Sequence, residues 1–400
     1  MEQTIVLVLN KKDSGPYFGY QVLAAEFRKL GFATVLLGAF DEDIGSQLRE
    51  TYTNNNVLFT LTHNVLITDL HEDGVPFFEK YNSVCLSLTD TPLPKYGIIS
   101  RAGGHVGILL GDITNGRLVQ KINPKVGVFP WHGYINVTTD HTITPVSERP
   151  IDVLFAGRVG AGEIALDKYS YVKKKFGQYV SRKFGFQNEM QVDECVEHAL
   201  RSPRWSLFRN AIDFDLRQEG TWNFMWNTVQ HIRARRRNFI LEELLALPGS
   251  VNVTIITDKE HGDRLKEKAG RNITVLDFMP WPEVLRTMSQ SKITINVLPF
   301  QVNSHHERIA TAQCNGSVVM TDSNPYLRSR FKDAEDIFYY FYRRHHLRDL
   351  ITSNLTDTRN LDRIAANGMH AAKSNDMPEH RAKYILDVYY RYRKELDAKN

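Results

Sequence analysis

Short apolar runs recur along the chain, separated by stretches whose apolar positions return every three or four residues. In the first third these runs are "TIVLVLN", "ATVLLG", "VLFTLTHN", "SVCLSLTD", "HVGILLGD" and "VGVFPWHGY". They are continuous rather than alternating, the pattern of strands buried on both faces. "YQVLAAEFRKLGF" lies between the first two and has helical spacing that ends near Gly31. Strands that alternate with helices predict a parallel sheet over residues 1–145. Such sheets bind ligands beyond the carboxyl ends of their strands. Those ends carry Asn10, His63, Asp90, Asp112 and His132.

The pattern breaks at "TTDHTITPVSERP", residues 138–150, which is polar, holds two prolines and has no helical period. It reads as a linker. "IDVLFAGRVGAG" then opens a second α/β series, continued by "VNVTIIT", "ITVLDF", "KITINVLPF" and "GSVVMTD". Residues 164–247 read as mostly helical, with a helical insertion over about 164–235. "PWPEVLRTMSQS" fits a short helix with proline near its start. The expected organisation is two α/β domains, 1–145 and 146–380. A long amphipathic helix over 381–400 then packs back toward the first domain.

Composition changes this picture little. The chain has 400 residues, 42% hydrophobic and 24% charged, ordinary for a globular protein. A net charge of +4 is too weak to argue for nucleic acid. Cys85, Cys195 and Cys314 lie far apart with no CxxC spacing, so neither a disulfide framework nor a zinc site is expected. "TIVLVL" at 4–9 is too short for a signal-peptide core or a membrane span, and a cytoplasmic location is expected.

The chemistry concentrates in "SHHERIATAQCNGSVVMTD", residues 304–322. Ser304 to Glu307 is S-x-x-E, a capping box placed before a helix. Capping alone leaves His305, His306 and Arg308 without a role. A helix N-terminus after a strand is also an anion site, and these cations strengthen it. "FAGRVGAG" adds Gly157 and Gly160 in a turn, from which Arg158 can reach phosphate oxygens bidentately; the alternative is a solvated arginine. "DSGPYFGY", residues 13–20, is a further glycine-bearing turn. His63 and Asp90 end strands and could each deprotonate a hydroxyl. His132 could contact a donor, and each of the three could equally hold only a structural hydrogen bond. Asp322 reads as a turn residue in "TDSNP". "YYFYRRHH" could stack on nucleic acid, but a buried strand before a solvated helix start is the expectation.

These segments together resemble the GT-B glycosyltransferases, and most nearly the bacterial spore-maturation-type (CgeB-like) group. The group's "HERxxEAxACGxxVLTD" pattern is answered by "HERIATAQCNGSVVMTD", and "DVLFAGR", "LTDTPL", "VFPWHGY" and "DIFYYF" add to the likeness. The resemblance implies two Rossmann-like domains facing across a cleft, with a nucleotide diphosphate sugar held by the second. Gly157, Arg158, Ser304, His305, His306, Glu307, Arg308 and Thr311 would then form the donor site. Arg158 would neutralise the diphosphate, and Glu307 would bond ribose or sugar hydroxyls. The group's second glutamate falls at Thr311, which cannot clamp two hydroxyls as a carboxylate does. The group's lysine is matched only by Arg236 or Arg237, both expected to be solvated helix residues. His63, Asp90 and His132 would be the catalytic candidates. No DxD pair follows a strand, so no metal cofactor is expected. The implied reaction moves a sugar to a hydroxyl of a glycan, a lipid-linked molecule or a small molecule, with no nucleic acid partner. A peripheral membrane contact of the C-terminal helix is a further option. A nucleotide-sugar epimerase and a non-catalytic binding scaffold are the alternatives, Thr311 favouring the scaffold.

Overall fold

The computed structural model describes residues 2–9, 15–39, 43–131, 143–159, 162 and 164–398. Asn10, His132 and Gly160 lie outside the described residues. The chain divides into two compact units. The first comprises Met1–Val137, Leu216–Trp222 and Asp376–Asn400; the second comprises Thr138–Asp215 and Asn223–Asn375.

In the first unit the strands are β1 (Gln3–Leu9), β2 (Ala33–Gly38), β3 (Asn56–His63), β4 (His71–Glu72), β5 (Val75–Pro76), β6 (Cys85–Thr89), β7 (Val106–Leu110) and β8 (Gly127–Pro130). β4 and β5 form a separate antiparallel pair. The other six form one sheet in the order β2-β1-β3-β6-β7-β8, parallel throughout. The continuous apolar runs have the predicted physical cause. Ile5, Val6, Leu7 and Val8 are all fully buried, so both faces of β1 are covered, each such side chain adding about 1.5–3 kcal/mol. Within "DSGPYFGY", residues 15–20 belong to the helix Gly15–Lys29 rather than to a turn.

The helix Pro378–Asp397 packs on this sheet through one apolar stripe: Ile385, Val388, Tyr389, Tyr392 and Leu396. Tyr392 also joins the backbone. Its hydroxyl accepts from Gly127 N–H at 3.2 Å and donates to the carbonyl of Val106 at 2.9 Å. A Cβ at Gly127 would come within 2.7 Å of the Tyr392 ring, so only glycine lets the ring approach.

The second unit carries β9 (Ile151–Ala156), β10 (Val253–Thr257), β11 (Ile273–Asp277), β12 (Ser291–Asn296), β13 (Val318–Thr321) and β14 (Phe338–Tyr339). Their order is β11-β10-β9-β12-β13-β14, again all parallel. Counted from β9 this is 3-2-1-4-5-6, the order of dinucleotide-binding sheets. The chain reverses direction between β9 and β12, which opens a crevice at their carboxyl ends. Between β9 and β10 lie the helices Tyr171–Phe184, Val192–Leu200, Pro203–Ser206, Arg209–Ile212 and Glu219–Leu245.

The boundary between the units falls at Val137/Thr138, and the described part of the expected linker, residues 143–150, belongs to the second unit. Arg149 is buried, with Nε donating to Thr144 O at 3.0 Å and Nη1 to Ser291 O at 3.0 Å and to Gly316 O. Carbonyls from three segments thus pin it to the second unit.

Candidate functional site

At the carboxyl edge of the second sheet, β9 ends at Ala156, and Gly157 N–H continues the ladder to Ile256 O at 2.9 Å. Arg158 turns outward with its side chain 61% exposed and Nε 3.9 Å from Asp258 Oδ2. The segment after β12 leads into the helix Glu307–Cys314. Arg308 in its first turn reaches back to β9, and a Cβ on Gly157 would stand 3.5 Å from Arg308 Nη1. Two segments 150 residues apart in sequence therefore meet at the crevice.

The helix start corrects the expected capping box. His306, not Ser304, is the N-cap, with Nδ1 3.3 Å from Arg308 N. His306 Nε2 also stands 3.3 Å from Arg308 Nη2. A neutral imidazole has one N–H, so only one of these nitrogens accepts at a time. Glu307 becomes the first helical residue and is partly buried. Ser304 is buried because Asn324 Nδ2 holds its carbonyl at 2.6 Å, anchoring the loop to the next helix. His305 is buried too, its ring stacked on Tyr326 with centroids 5.7 Å apart. Thr311 lies one turn further in and is 1% exposed. Of the eight expected donor residues, Gly157, Arg158, His306 and Arg308 converge, and Glu307 is partly buried at the head of the same helix. Ser304, His305 and Thr311 lie behind them.

The helix Glu219–Leu245 supplies what the sequence reading missed. Arg236 and Arg237 are both buried rather than solvated. Arg237 Nη1 donates to the carbonyl of Arg158. Burial, then Arg233 and Arg308, push its guanidinium well below the ordinary arginine value, and Arg158 adds to the push. The group stays charged, so the push measures the cost of crowding cations in a site withdrawn from water. Burial and the charges of Arg308, Arg233 and Arg237 likewise hold His306 well below the usual histidine value, and hence neutral. Arg233 and Arg237 are four residues apart and share a helix face; that spacing in "RARRR" was the available signal.

Arg236 points elsewhere and is neutralised. It donates to Asn188 Oδ1 at 2.7 Å, Gln187 O at 2.7 Å and Leu298 O at 3.0 Å, and stands 3.5 Å from Asp322 Oδ2. Asp322 is therefore no turn residue. It is buried, accepts from Leu298 N–H at 2.8 Å, Asn188 Nδ2 at 2.9 Å and the Tyr342 hydroxyl at 3.1 Å, and knits β13 to the helical segment. Burial raises its carboxyl above the ordinary range against the pull of Arg236. The "YYFYRRHH" segment has Tyr339 and Tyr340 buried, as expected of a strand.

The first sheet carries a different site at its own carboxyl edge. β3 and β6 are neighbours, and His63 at the end of β3 pairs in register with Leu88. His63 Nε2 stands 3.9 Å from Asp90 Oδ2. Asn64 joins them, with Nδ2 2.8 Å from His63 Nε2 and Oδ1 accepting from Asp90 N–H at 3.1 Å. Burial lowers the His63 pKa, Lys95 lowers it further and Asp90 opposes them. Asp90 keeps its side chain 41% exposed against 11% for His63. Asn64, Val65 and Ile67 follow at φ 50°, 55° and 59°. A β-branched residue there is a genuine outlier, and such strain clusters at functional sites. Ser87 Oγ holds the Val65 N–H at 2.8 Å. Asp112 caps a short turn, accepting from Thr114 N–H at 3.1 Å.

Residues 235–387 match the glycosyl transferase-like family model. The glycosyl transferase-like segment thus takes in Arg236, Arg237, Glu307 and Arg308. No curated protein matches the chain in sequence. Among solved structures, the chain is similar to sucrose-phosphate synthase from Thermosynechococcus elongatus (10% identity, all of both chains covered, TM-score 0.58). It is also similar to Anabaena HepE in complex with UDP and glucose (10% identity, 98% of this chain and 100% of that one, TM-score 0.55). A glycosyltransferase from Rickettsia africae gives 11% identity, 98% of each chain and a TM-score of 0.53. At such identities the likeness establishes the fold: two parallel six-stranded Rossmann-like sheets of GT-B type. Among the described residues no cluster of three or more His, Cys, Asp or Glu could hold a metal ion. No helix among them is long and apolar enough to cross a membrane.

Proposed function

We propose that the protein transfers a sugar from a nucleotide diphosphate sugar to a hydroxyl acceptor. The observation that carries this reading is the crowding of Arg158, Arg233, Arg237 and Arg308 around the head of the Glu307–Cys314 helix, at the switch point of the second sheet. Like charges held together are relieved by a polyanion, and a diphosphate supplies matched negative oxygens. In transfer, the bond between the sugar's anomeric carbon and the diphosphate oxygen breaks. The arginines and the helix dipole stabilise the charge left on that oxygen. The protein's own cations do this work, so activity is expected to persist in a chelator.

Glu307 bonds ribose or sugar hydroxyls in this reading, and the buried Thr311 does not. Asp90 takes the proton of the acceptor hydroxyl, because it is the exposed member of its pair. His63, whose Nε2 faces the Asn64 amide, positions it. HepE and T4 phage BGT were solved with UDP-glucose, which makes uridine diphosphate sugars the first donors to test. An α-glucosyltransferase was solved with DNA; a net charge of +4 is too weak to argue for such an acceptor, and the acceptor in this reading is a glycan, a lipid-linked molecule or a small molecule. The "HER…G" segment supports placement near the spore-maturation-type group. The glycosyl transferase-like match favours transfer over epimerisation or a scaffold role.

A thermal-shift series with nucleoside diphosphates tests the reading. A ligand at a hundred times its Kd adds about 2.7 kcal/mol to the folded state. No shift with any nucleoside diphosphate, and no donor hydrolysis, would remove it.

A further inference from the structure

The helical segment between β9 and β10 carries a second surface that sugar transfer does not use. The helices Tyr171–Phe184 and Pro203–Ser206 border a groove of about 450 Å³. Its lining includes Lys175, Arg182 and Arg204 and no carboxylate. Its rim is apolar and raised into solvent, with Leu207 85% exposed, Tyr171 75% and Phe208 44%. Folding leaves large apolar side chains in water singly, but seldom beside one another.

The rings and cations are paired across this surface. Lys175 Nζ lies 5.4 Å from the Tyr171 ring, Lys183 Nζ 5.8 Å from Tyr179, and the Arg204 guanidinium 5.4 Å from Trp205. Such pairs put a charge at one level and an apolar body beneath it, as interfacial side chains do.

We propose that this face docks the protein onto an anionic lipid surface. Leu207 and Phe208 enter the boundary between headgroups and acyl chains, and Lys175, Arg182 and Arg204 meet lipid phosphates. A soluble polyanion would use the cations but leave Leu207 and Phe208 in water. A neutral sugar would need bare ring faces, which the cations occupy. The inference goes beyond sugar transfer, and either can fail without the other.

The test is co-sedimentation of the full chain with vesicles of phosphatidylcholine alone and of phosphatidylcholine with phosphatidylglycerol, at low and high salt. The protein should sediment with the anionic vesicles only, and less at high salt. Lys175→Glu with Arg204→Glu should weaken binding roughly twenty-five-fold or more, at about five-fold per cation removed. Leu207→Asp with Phe208→Asp should weaken it at least about ten-fold. These side chains are exposed, so both variants should keep the wild-type Tm. Absence of wild-type sedimentation with anionic vesicles overturns the proposal. Unchanged vesicle binding by the Leu207/Phe208 variant also overturns it, because the contact would then be electrostatic alone with no apolar insertion.

Discussion

The carboxyl edges of the two sheets make an instructive pair. Both sheets are six-stranded and parallel, and both place polar and charged groups beyond their strand ends. The first edge carries a histidine and a carboxylate, tied by one asparagine and followed by a strained turn. The second carries four arginines and a neutral histidine around a helix head. In the proposed reaction the first moves a proton and the second holds a polyanion. A common architecture thus leaves chemistry to the few residues at strand ends, and the charge sign at each edge divides the labour.

The largest expected effect lies on the first edge. Asp90→Asn should lower turnover by about a hundredfold to ten-thousandfold, the range for general base catalysis, with donor affinity unchanged. Turnover within a factor of two of wild type would detach this edge from the reaction.

Two adjacent arginines sharpen the second edge. Arg236→Ala strips the partner from buried Asp322 and should destabilise the fold by about 3–5 kcal/mol, read as a fall in Tm. Arg237→Ala removes a cation held among like charges. It should leave Tm unchanged or higher and weaken nucleoside diphosphate binding by about 1.5–3 kcal/mol in calorimetry. Equal behaviour of the two variants would erase the distinction between structural and ligand-facing arginine.

Glu307→Gln should lower transfer about tenfold with an unchanged Tm. His306 caps the helix, so the change removes no cap. A fall in Tm with normal turnover would make Glu307 a structural residue.

The smallest effect is one of pH. Burial and neighbouring arginines depress the His306 pKa in the folded protein. Below about pH 6.5 the unfolded chain takes up a proton that folded His306 refuses, so this residue's contribution to stability falls as pH drops. A bound diphosphate favours the imidazolium. Binding should therefore take up protons as pH falls toward the depressed value of folded His306, and His306→Gln should flatten that dependence. A wild-type affinity whose pH profile matches that of His306→Gln would exclude the histidine from the anion site.

The twelve strands of the two large sheets were legible because parallel strands buried on both faces must be apolar throughout. Their order was not, since any apolar run can pair with any other until the helices between them pack. Gly157, Arg158 and the HHER segment stood out as turn, cation and helix start, types with local physical causes. The N-cap was misread, because Ser304 fits the capping pattern but is drawn under by Asn324. Arg236 and Arg237 looked like solvated helix residues for a related reason, and both are buried. A helix face has no sign of burial in its own charges.

The sequence by itself determined the two α/β series, the helical segment between β9 and β10, and the basic head of the Glu307–Cys314 helix. These follow from periodicity and from the local needs of turns and helix ends. Only the tertiary structure decided that His63 and Asp90 share an edge, that Arg236 pairs with Asp322, and that Arg237 joins Arg158 and Arg308. Those outcomes depend on which strands become neighbours and on what burial costs a charge, and both are set when distant segments pack together.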